Sequence, residues 1–301
     1  LDLLERKRMR FDFYEPNTIG ECIEMLTHFG LKTSLLAGGT DLLVKLRLRH
    51  IRPQAVISLG GIDELKKLER KSDGSLEIGA MKTLQEVESS NLLANEFDLV
   101  RQGAGCVSSI QVRNVATLGG NSCNASSSAD TVPALIALGA EVQIVGPQGE
   151  RHLVLEDFFA GPGETVLQKG EILTEFKLPA PSSHSGGTYK KYAIRGEVDI
   201  SIVGVATRLT LDRNHKLQEV RIVLGGVAPT PIRVRRAEDM LVGQDPKEEL
   251  FEEAAQLAAE ESRPISDQRA TAQYRREMVK VWTRYTLQET FQKIREAIKA
   301  R

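Results

Sequence analysis

An α+β fold is predicted for this chain by three features of its sequence. Near the N-terminus a strand-like run passes through a Gly-Gly pair into a helix-like one. Two hairpin signatures lie in the middle, and three consecutive strand-like runs precede the helices of the C-terminal third.

Met9 reads as a natural start, because an aromatic strand-like run begins just after it; residues 1–8 are therefore expected to be an N-terminal extension or vector remnant. Ile19, Ile23, Leu26 and Phe29 recur at three- and four-residue steps and predict an amphipathic helix from Thr18 closed by Gly30. A short strand, Ser34 to Ala37, runs through Gly38-Gly39-Thr40-Asp41 into a helix or helical turn carrying Leu42, Leu43, Leu46 and Leu48, which Pro53 ends. Ala55 to Leu59 reads as a buried strand. From Leu65 to Ala80 the chain predicts a hairpin, since Asp73-Gly74 supplies the positive dihedrals of a tight turn.

Helical spacing returns from Leu84 to Val100. Gly103 to Asp130 is poor in large apolar residues and dense in Gly, Ser, Asn and Ala, and so reads as an ordered functional loop. A helix over Asp130–Ala140 follows, with Asp130 or Thr131 as cap and Pro133 in its first turn. Gly146-Pro147-Gln148-Gly149 joins two strands of a second hairpin, and Ile172 to Leu178 is a further strand. Pro179 to Gly187 is the best linker candidate. Beyond it come three strand-like runs and then helices. The last helix, from about Ala270, groups Tyr274, Met278, Val281, Trp282 and Tyr285 on one face, and periodicity predicts that this face packs in the core.

Composition excludes several functions. Forty Lys and Arg balance 41 Asp and Glu, which gives no electrostatic reason to expect nucleic acid. No stretch reaches the roughly 20 apolar residues of a membrane span, and a cytoplasmic location is expected. Cys22, Cys106 and Cys123 are odd in number and widely spaced, so neither a disulfide framework nor a metal knuckle is indicated. Five scattered histidines show no zinc spacing, and Cys123 has no histidine nearby in sequence to activate it.

Two segments carry chemistry: Leu35 to Leu43 and Asn114 to Leu135. Each sets a Gly-Gly pair beside small hydroxyl or amide residues, so that successive backbone N–H groups converge on an anion without obstruction by Cβ. Two such nests in one domain suit a diphosphate gripped from both sides. Neither matches the dinucleotide fingerprint or the P-loop.

The order of FDFYEPNTIGECIEML, AGGTDLL, QVRNVATLGGN, EILTEFKLP, KKYAIRGEVDISIVGVA and DQRATAQYRREMV resembles the medium, FAD-binding subunit of the xanthine dehydrogenase and carbon monoxide dehydrogenase family of molybdenum hydroxylases. The resemblance runs from about Met9 to the C-terminal helix. It implies a two-subdomain FAD-binding domain of the PCMH type at residues 9–180, with subdomains of about 9–62 and 63–180, then a C-terminal α+β domain at 187–301. Carried over by motif, Leu35, Leu36, Ala37, Gly38, Gly39, Thr40, Asp41 and Leu42, with Thr117, Leu118, Gly119, Gly120 and Asn121, would bind the diphosphate and its surroundings. Asp130 would meet a flavin-side or ribose hydroxyl, and Leu173 would supply a backbone or apolar contact. Lys191 would sit close to the flavin, where a cation stabilises charge gained on reduction, and Arg195 to Ile200 would border its exposed face. Val107 stands where relatives place an aromatic ring.

The FAD would be non-covalent. The resemblance implies an oxidoreductase subunit with no catalytic residue for hydroxylation and no metal ligand of its own. A large partner would hold the molybdenum cofactor and a small one two [2Fe-2S] clusters, together as a dimer of heterotrimers. The span between Asn121 and Asp130 is too short for the extra [4Fe-4S] insertion of some relatives. A stand-alone FAD-dependent oxidoreductase of the same superfamily is the alternative; a flavin-free scaffold is a third reading.

Overall fold

The computed structural model describes residues 10–196 and 198–300; the extension at 1–8 lies outside the described residues. The first unit is built on a three-stranded parallel sheet. After β1 (Asp12–Tyr14), α1 (Ile19–Phe29) begins at Thr18, whose hydroxyl accepts from the Glu21 N–H at 3.1 Å, and ends at Gly30, φ +64°. β2 (Thr33–Leu36), α2 (Leu42–Arg47) and β3 (Ala55–Ser58) follow. The sheet order is β1-β3-β2 with both pairs parallel, and β3 is buried along its whole length, which is why Ala55 to Ser58 alternates so little. Because β2 points its C-terminal end at the turn Ala37–Asp41, that turn lies where parallel sheets receive ligands.

The second unit is a five-stranded antiparallel sheet, β4-β5-β10-β6-β7, with helices packed against it. Its elements are β4 (Leu68–Arg70), β5 (Leu76–Gly79), α3 (Leu84–Ser89), α4 (Asp98–Gly105), α5 (Ile110–Arg113), α6 (Leu118–Cys123), α7 (Thr131–Ala137), β6 (Glu141–Gly146), β7 (Gly149–Val154), the small hairpin β8 (Phe159–Gly161) and β9 (Glu164–Thr165), and β10 (Ile172–Leu178). Both predicted hairpins form. The continuous helical spacing from Leu84 to Val100 does not give a continuous helix: α3 stops at Ser89, and two single 3-10 turns with Asn95 at φ +63° intervene. Leu84, Val87, Leu93, Phe97 and Val100 all reach one core, so burial keeps the period although the backbone breaks. The expected loop at 103–130 likewise contains α5 and α6.

The third unit holds an antiparallel sheet of β11 (Ser185–Tyr192), β12 (Val203–Leu211), β13 (Leu217–Gly225) and β14 (Ile232–Arg233), covered by α8 (Arg235–Leu241), α9 (Glu248–Glu261) and α10 (Ala272–Lys299). Ser185, Gly186 and Gly187, expected in the linker, open β11 instead. A Cβ on Gly186 would lie 2.8 Å from Ile294 Cγ1, so glycine here admits the close crossing of α10. The core-packing expectation for the aromatic face of α10 fails: Tyr274, Val281 and Tyr285 are exposed, and Met278 and Trp282 are only partly buried. The buried stripe is Arg275, Val279, Thr283, Thr286, Leu287, Thr290 and Ile294. β-branched threonines pack closely on a sheet, and Thr290 bonds Thr207 of β12 at 2.8 Å, so a face that looks polar in sequence is the inner one.

Tyr189, Ala206 and Val223 of the third unit belong to the same apolar cluster as α4 and α7 of the second. This shared core fixes the end of β11 against the start of α7.

Candidate functional site: a cleft shared by three units

A cleft of about 780 Å³ opens between the three units. The first unit contributes Leu35, Ala37, Gly38, Gly39, Thr40, Asp41 and Leu42 from the β2–α2 turn. The second contributes Thr117, Gly119, Gly120, Asn121 and Asp130 around α6 and α7, and Leu173 from β10. Lys191 enters from β11, and Val198, Asp199 and Ile200 form part of the rim. Leu36 and Leu118 are not brought to it: Leu36 packs behind the turn against Gly39, and Leu118 is fully buried in the second unit's core.

The two glycine segments meet. A Cβ on Gly38 would fall 1.9 Å from the Val115 carbonyl oxygen, and one on Gly120 3.6 Å from Ala37 Cβ. They do not do the same work. In the first, Gly39 takes φ +77°, and no acceptor among the described residues takes the N–H groups of Gly38, Gly39 or Thr40. In the second, the N–H groups are already used. Leu118 donates to Lys82 O at 2.9 Å, Gly119 to Ala80 O at 2.8 Å, Gly120 to Thr117 Oγ1 at 3.0 Å and Asn121 to Thr117 O at 2.9 Å. The expected second nest is therefore the capped first turn of α6. Its glycines serve close approach, since a Cβ on Gly119 would lie 2.6 Å from Ala80 Cβ.

At the other end Asp130 organises a buried polar cluster. It stands at the start of α7, yet its side chain makes no capping bond, contrary to the cap reading. Oδ1 accepts from Tyr189 Oη at 2.7 Å and Ser201 Oγ at 2.5 Å, while Oδ2 accepts from Lys191 Nζ at 2.9 Å. Lys191 also donates to the Cys106 carbonyl at 2.9 Å. Burial pushes the Asp130 carboxyl above the usual carboxylate range, and Lys191, Ser201 and Tyr189 pull it back. Burial first, and then the neighbouring Asp130, hold the Tyr189 hydroxyl well above its ordinary value. Tyr189 thus stays a proton donor. The Lys191 charge expected beside the flavin is matched by a carboxylate, so this end of the cleft carries an ion pair and no bare cation.

At the rim Arg195 points to solvent and binds both oxygens of Asp199, at 3.2 and 3.1 Å, which brings the Asp199 carboxyl down to about 2. Val107 lines the cleft as an aliphatic side chain, so that position supplies no aromatic ring. Burial pushes the Cys123 thiol up to about 12, which leaves it protonated and unsuited to nucleophilic attack near neutrality. Among the described residues no three His, Cys, Asp or Glu side chains group as metal ligands, and no helix is long and apolar enough to cross a membrane.

Sequence reasoning missed Tyr189, Ser201 and Lys45, the last a lining residue of the cleft whose Nζ donates to Asn124 Oδ1 at 3.1 Å. Tyr189 was within reach of it: two residues before Lys191 on one strand, it must share that side chain's face, while Lys190 between them pairs with Glu289 of α10. Ser201 and Lys45 carry no local signal.

Comparison with known proteins finds matches across all three units. Residues 9–181 match the family described as the FAD binding domain in molybdopterin dehydrogenase, and residues 187–290 the carbon monoxide dehydrogenase flavoprotein C-terminal domain. The chain is 31% identical over 283 residues to the xanthine dehydrogenase FAD-binding subunit of Escherichia coli O157:H7, covering 93% of this chain and 96% of that one. Against the carbon monoxide dehydrogenase medium chain of Afipia carboxidovorans it is 30% identical over 274 residues, with 91% and 94% covered. A chain of the carbon monoxide dehydrogenase structure from Hydrogenophaga pseudoflava superposes with a TM-score of 0.90 at 29% identity, covering 94% of this chain and 97% of that one. Matched by family along nearly its full length, the chain belongs to the FAD-binding subunits of the xanthine and carbon monoxide dehydrogenase type of molybdenum hydroxylase, a family of oxidoreductase flavoproteins.

Proposed function

We propose that this chain binds one FAD non-covalently in the three-unit cleft and serves as the electron outlet of a molybdenum hydroxylase. In this reading a large partner holds the molybdenum cofactor and hydroxylates the substrate, and a small partner carries two [2Fe-2S] clusters. The assembly is a dimer of such heterotrimers. Bound FAD supplies the means to take electrons singly from an iron–sulfur cluster and release them in pairs to an external acceptor.

The observation that carries the reading is the cleft itself, with unengaged N–H groups at one end and a polar cluster at the other. Its volume falls within the roughly 300–1,000 Å³ of cofactor sites. The N–H groups of Gly38, Gly39 and Thr40 suit a diphosphate, and the lining residues from Leu35 to Leu42 and Thr117 to Asn121 shape its surroundings. A carboxylate offers about four acceptor positions. Asp130 uses three on Tyr189, Ser201 and Lys191, which leaves room for a hydroxyl of the cofactor. Leu173 and Val107 give apolar walls that exclude water. Cys123 in the wall is held protonated, which favours a non-covalent cofactor.

Relatives named for xanthine and for carbon monoxide share this chain type, so the choice of substrate rests on another subunit. The domain division at 9–62, 63–180 and 187–301 is part of the same proposal and is supported by the separate three-, five- and four-stranded sheets. The test is purification of the complex followed by a flavin absorbance spectrum and identification of co-purifying chains. About one FAD per chain with a large and a small partner is the expected result; a colourless chain, or an isolated one that turns over its own substrate, overturns the proposal.

A further inference from the structure

The second glycine segment spends its N–H groups on Ala80, Lys82 and Thr117, so a diphosphate in this cleft is served by backbone donors from one side only. Charge must come from elsewhere. Among the described residues the cations lining the cleft are Lys191 and Lys45. Lys191 is bound to Asp130 at the far end. Lys45 lies one turn into α2, four residues beyond Asp41, and its Nζ reaches across to Asn124 Oδ1, 3.1 Å away at the end of α6. Among the described residues it forms no ion pair: the partner holding it is a neutral amide. An exposed lysine of the cleft wall is thus held by a bond between two units, with no carboxylate among the described residues paired to it.

We infer that Lys45 is a ligand of the cofactor's diphosphate, exchanging the Asn124 amide for a phosphate oxygen on binding. The exchange replaces an ion–amide bond with an ion–ion bond, which is the stronger of the two and is the sole contact in this set that adds formal positive charge. It also explains why α2 carries a lysine on its cleft side. Lys45 and Asn124 belong to different units, so the same bond links the first unit to the second across the cleft. This inference rests on the FAD reading and adds a residue to it.

The test compares the full-length wild-type chain with Lys45→Met, which keeps length and removes charge, and Lys45→Arg, which restores it. Apo-protein is titrated with FAD, ADP and riboflavin by fluorescence, with thermal melting to confirm that each variant folds. Loss of one charge-assisted contact predicts a Kd for FAD and for ADP raised by about 10-fold or more in Lys45→Met, unchanged riboflavin binding, and substantial recovery in Lys45→Arg. Wild-type affinity for ADP should also fall more steeply with salt than that of Lys45→Met. Wild-type protein that binds FAD while Lys45→Met binds FAD and ADP equally well overturns this inference alone. Wild-type protein that binds neither overturns the FAD reading with it.

Discussion

Gly38→Ala adds a single carbon and tests the geometry of the site more sharply than removal of any side chain. The new Cβ would stand 1.9 Å from the Val115 oxygen, 2.6 Å from its carbonyl carbon and 2.8 Å from Ala116 Cα, all backbone atoms. Reaching even 3.0 Å requires the two segments to part by more than 1 Å. The Val115–Ala116 side is pinned, since Ala116 donates to Val112 O and accepts from the Leu84 N–H, each at 2.8 Å. The β2–α2 turn must therefore yield. Overpacking of this kind costs about 1–3 kcal/mol, a fall of roughly 2–12 °C in melting temperature for a chain of this size.

Binding suffers more. A 1 Å displacement misaligns the N–H groups of Gly38 and Gly39 together, and at about 1.5–3 kcal/mol for each bond to a charged group the loss of both raises the Kd for FAD by about 100-fold or more. Gly74→Ala is the control: it sits at φ +85° in the β4–β5 hairpin with Ala180 Cβ 3.4 Å away, outside the cleft, and should lose about 1 kcal/mol while keeping its flavin. Fluorescence titration with FAD and melting curves on both variants decide the matter. A Gly38→Ala protein whose Kd stays within about threefold of wild type refutes the argument.

Two further outcomes are expected. Arg275→Met removes a buried guanidinium that donates to Ile202 O at 2.7 Å, Gly226 O at 3.0 Å and both oxygens of Asp267 at 2.9 Å; it should cost about 3 kcal/mol in urea unfolding, and a loss below 1 kcal/mol would contradict that assignment. Burial pushes Cys22 up to about 11 and Cys123 up to about 12. The fully buried Cys22 thiol should resist alkylation in the folded chain at pH 8 and react once denaturant is added, and its prompt modification under native conditions would contradict that burial. Because these folded values lie above the unfolded one of 9.0, the corresponding stability is complete below pH 9 and is lost as pH rises toward 11 and beyond.

What the sequence reveals here is whatever a few neighbouring residues decide. Thr18 and Gly30 bound α1, Asp73-Gly74 turns a hairpin, and the unbroken apolar run Ala55 to Ile57 lies in a central parallel strand, because capping, positive φ and two-faced burial are local matters. Asp130 shows the limit. A helix follows it, so local reasoning makes it a cap; its partners Tyr189, Lys191 and Ser201 are 59, 61 and 71 residues away and take the carboxylate first. The inner face of α10 is hidden from the sequence for a similar reason, since Thr283, Thr286 and Thr290 become core residues only where β12 packs on them, with Thr207 donating to the Thr286 carbonyl and bonding the Thr290 hydroxyl.

The two glycine segments make the point most plainly. Gly38-Gly39 and Gly119-Gly120 look alike as text, and composition gives both the capacity to cradle an anion. The difference is made by Ala80 and Lys82, just beyond β5, which take the N–H groups of Gly119 and Leu118, and by Thr117, which takes those of Gly120 and Asn121. Among the described residues the first segment faces no such acceptor, which leaves its donors open to the proposed diphosphate. An anion site is thus specified as much by the acceptors that a fold withholds from a turn as by the glycines within it, and for the same reason the missing positive charge is to be sought on Lys45, across the cleft from the segment that has none to give.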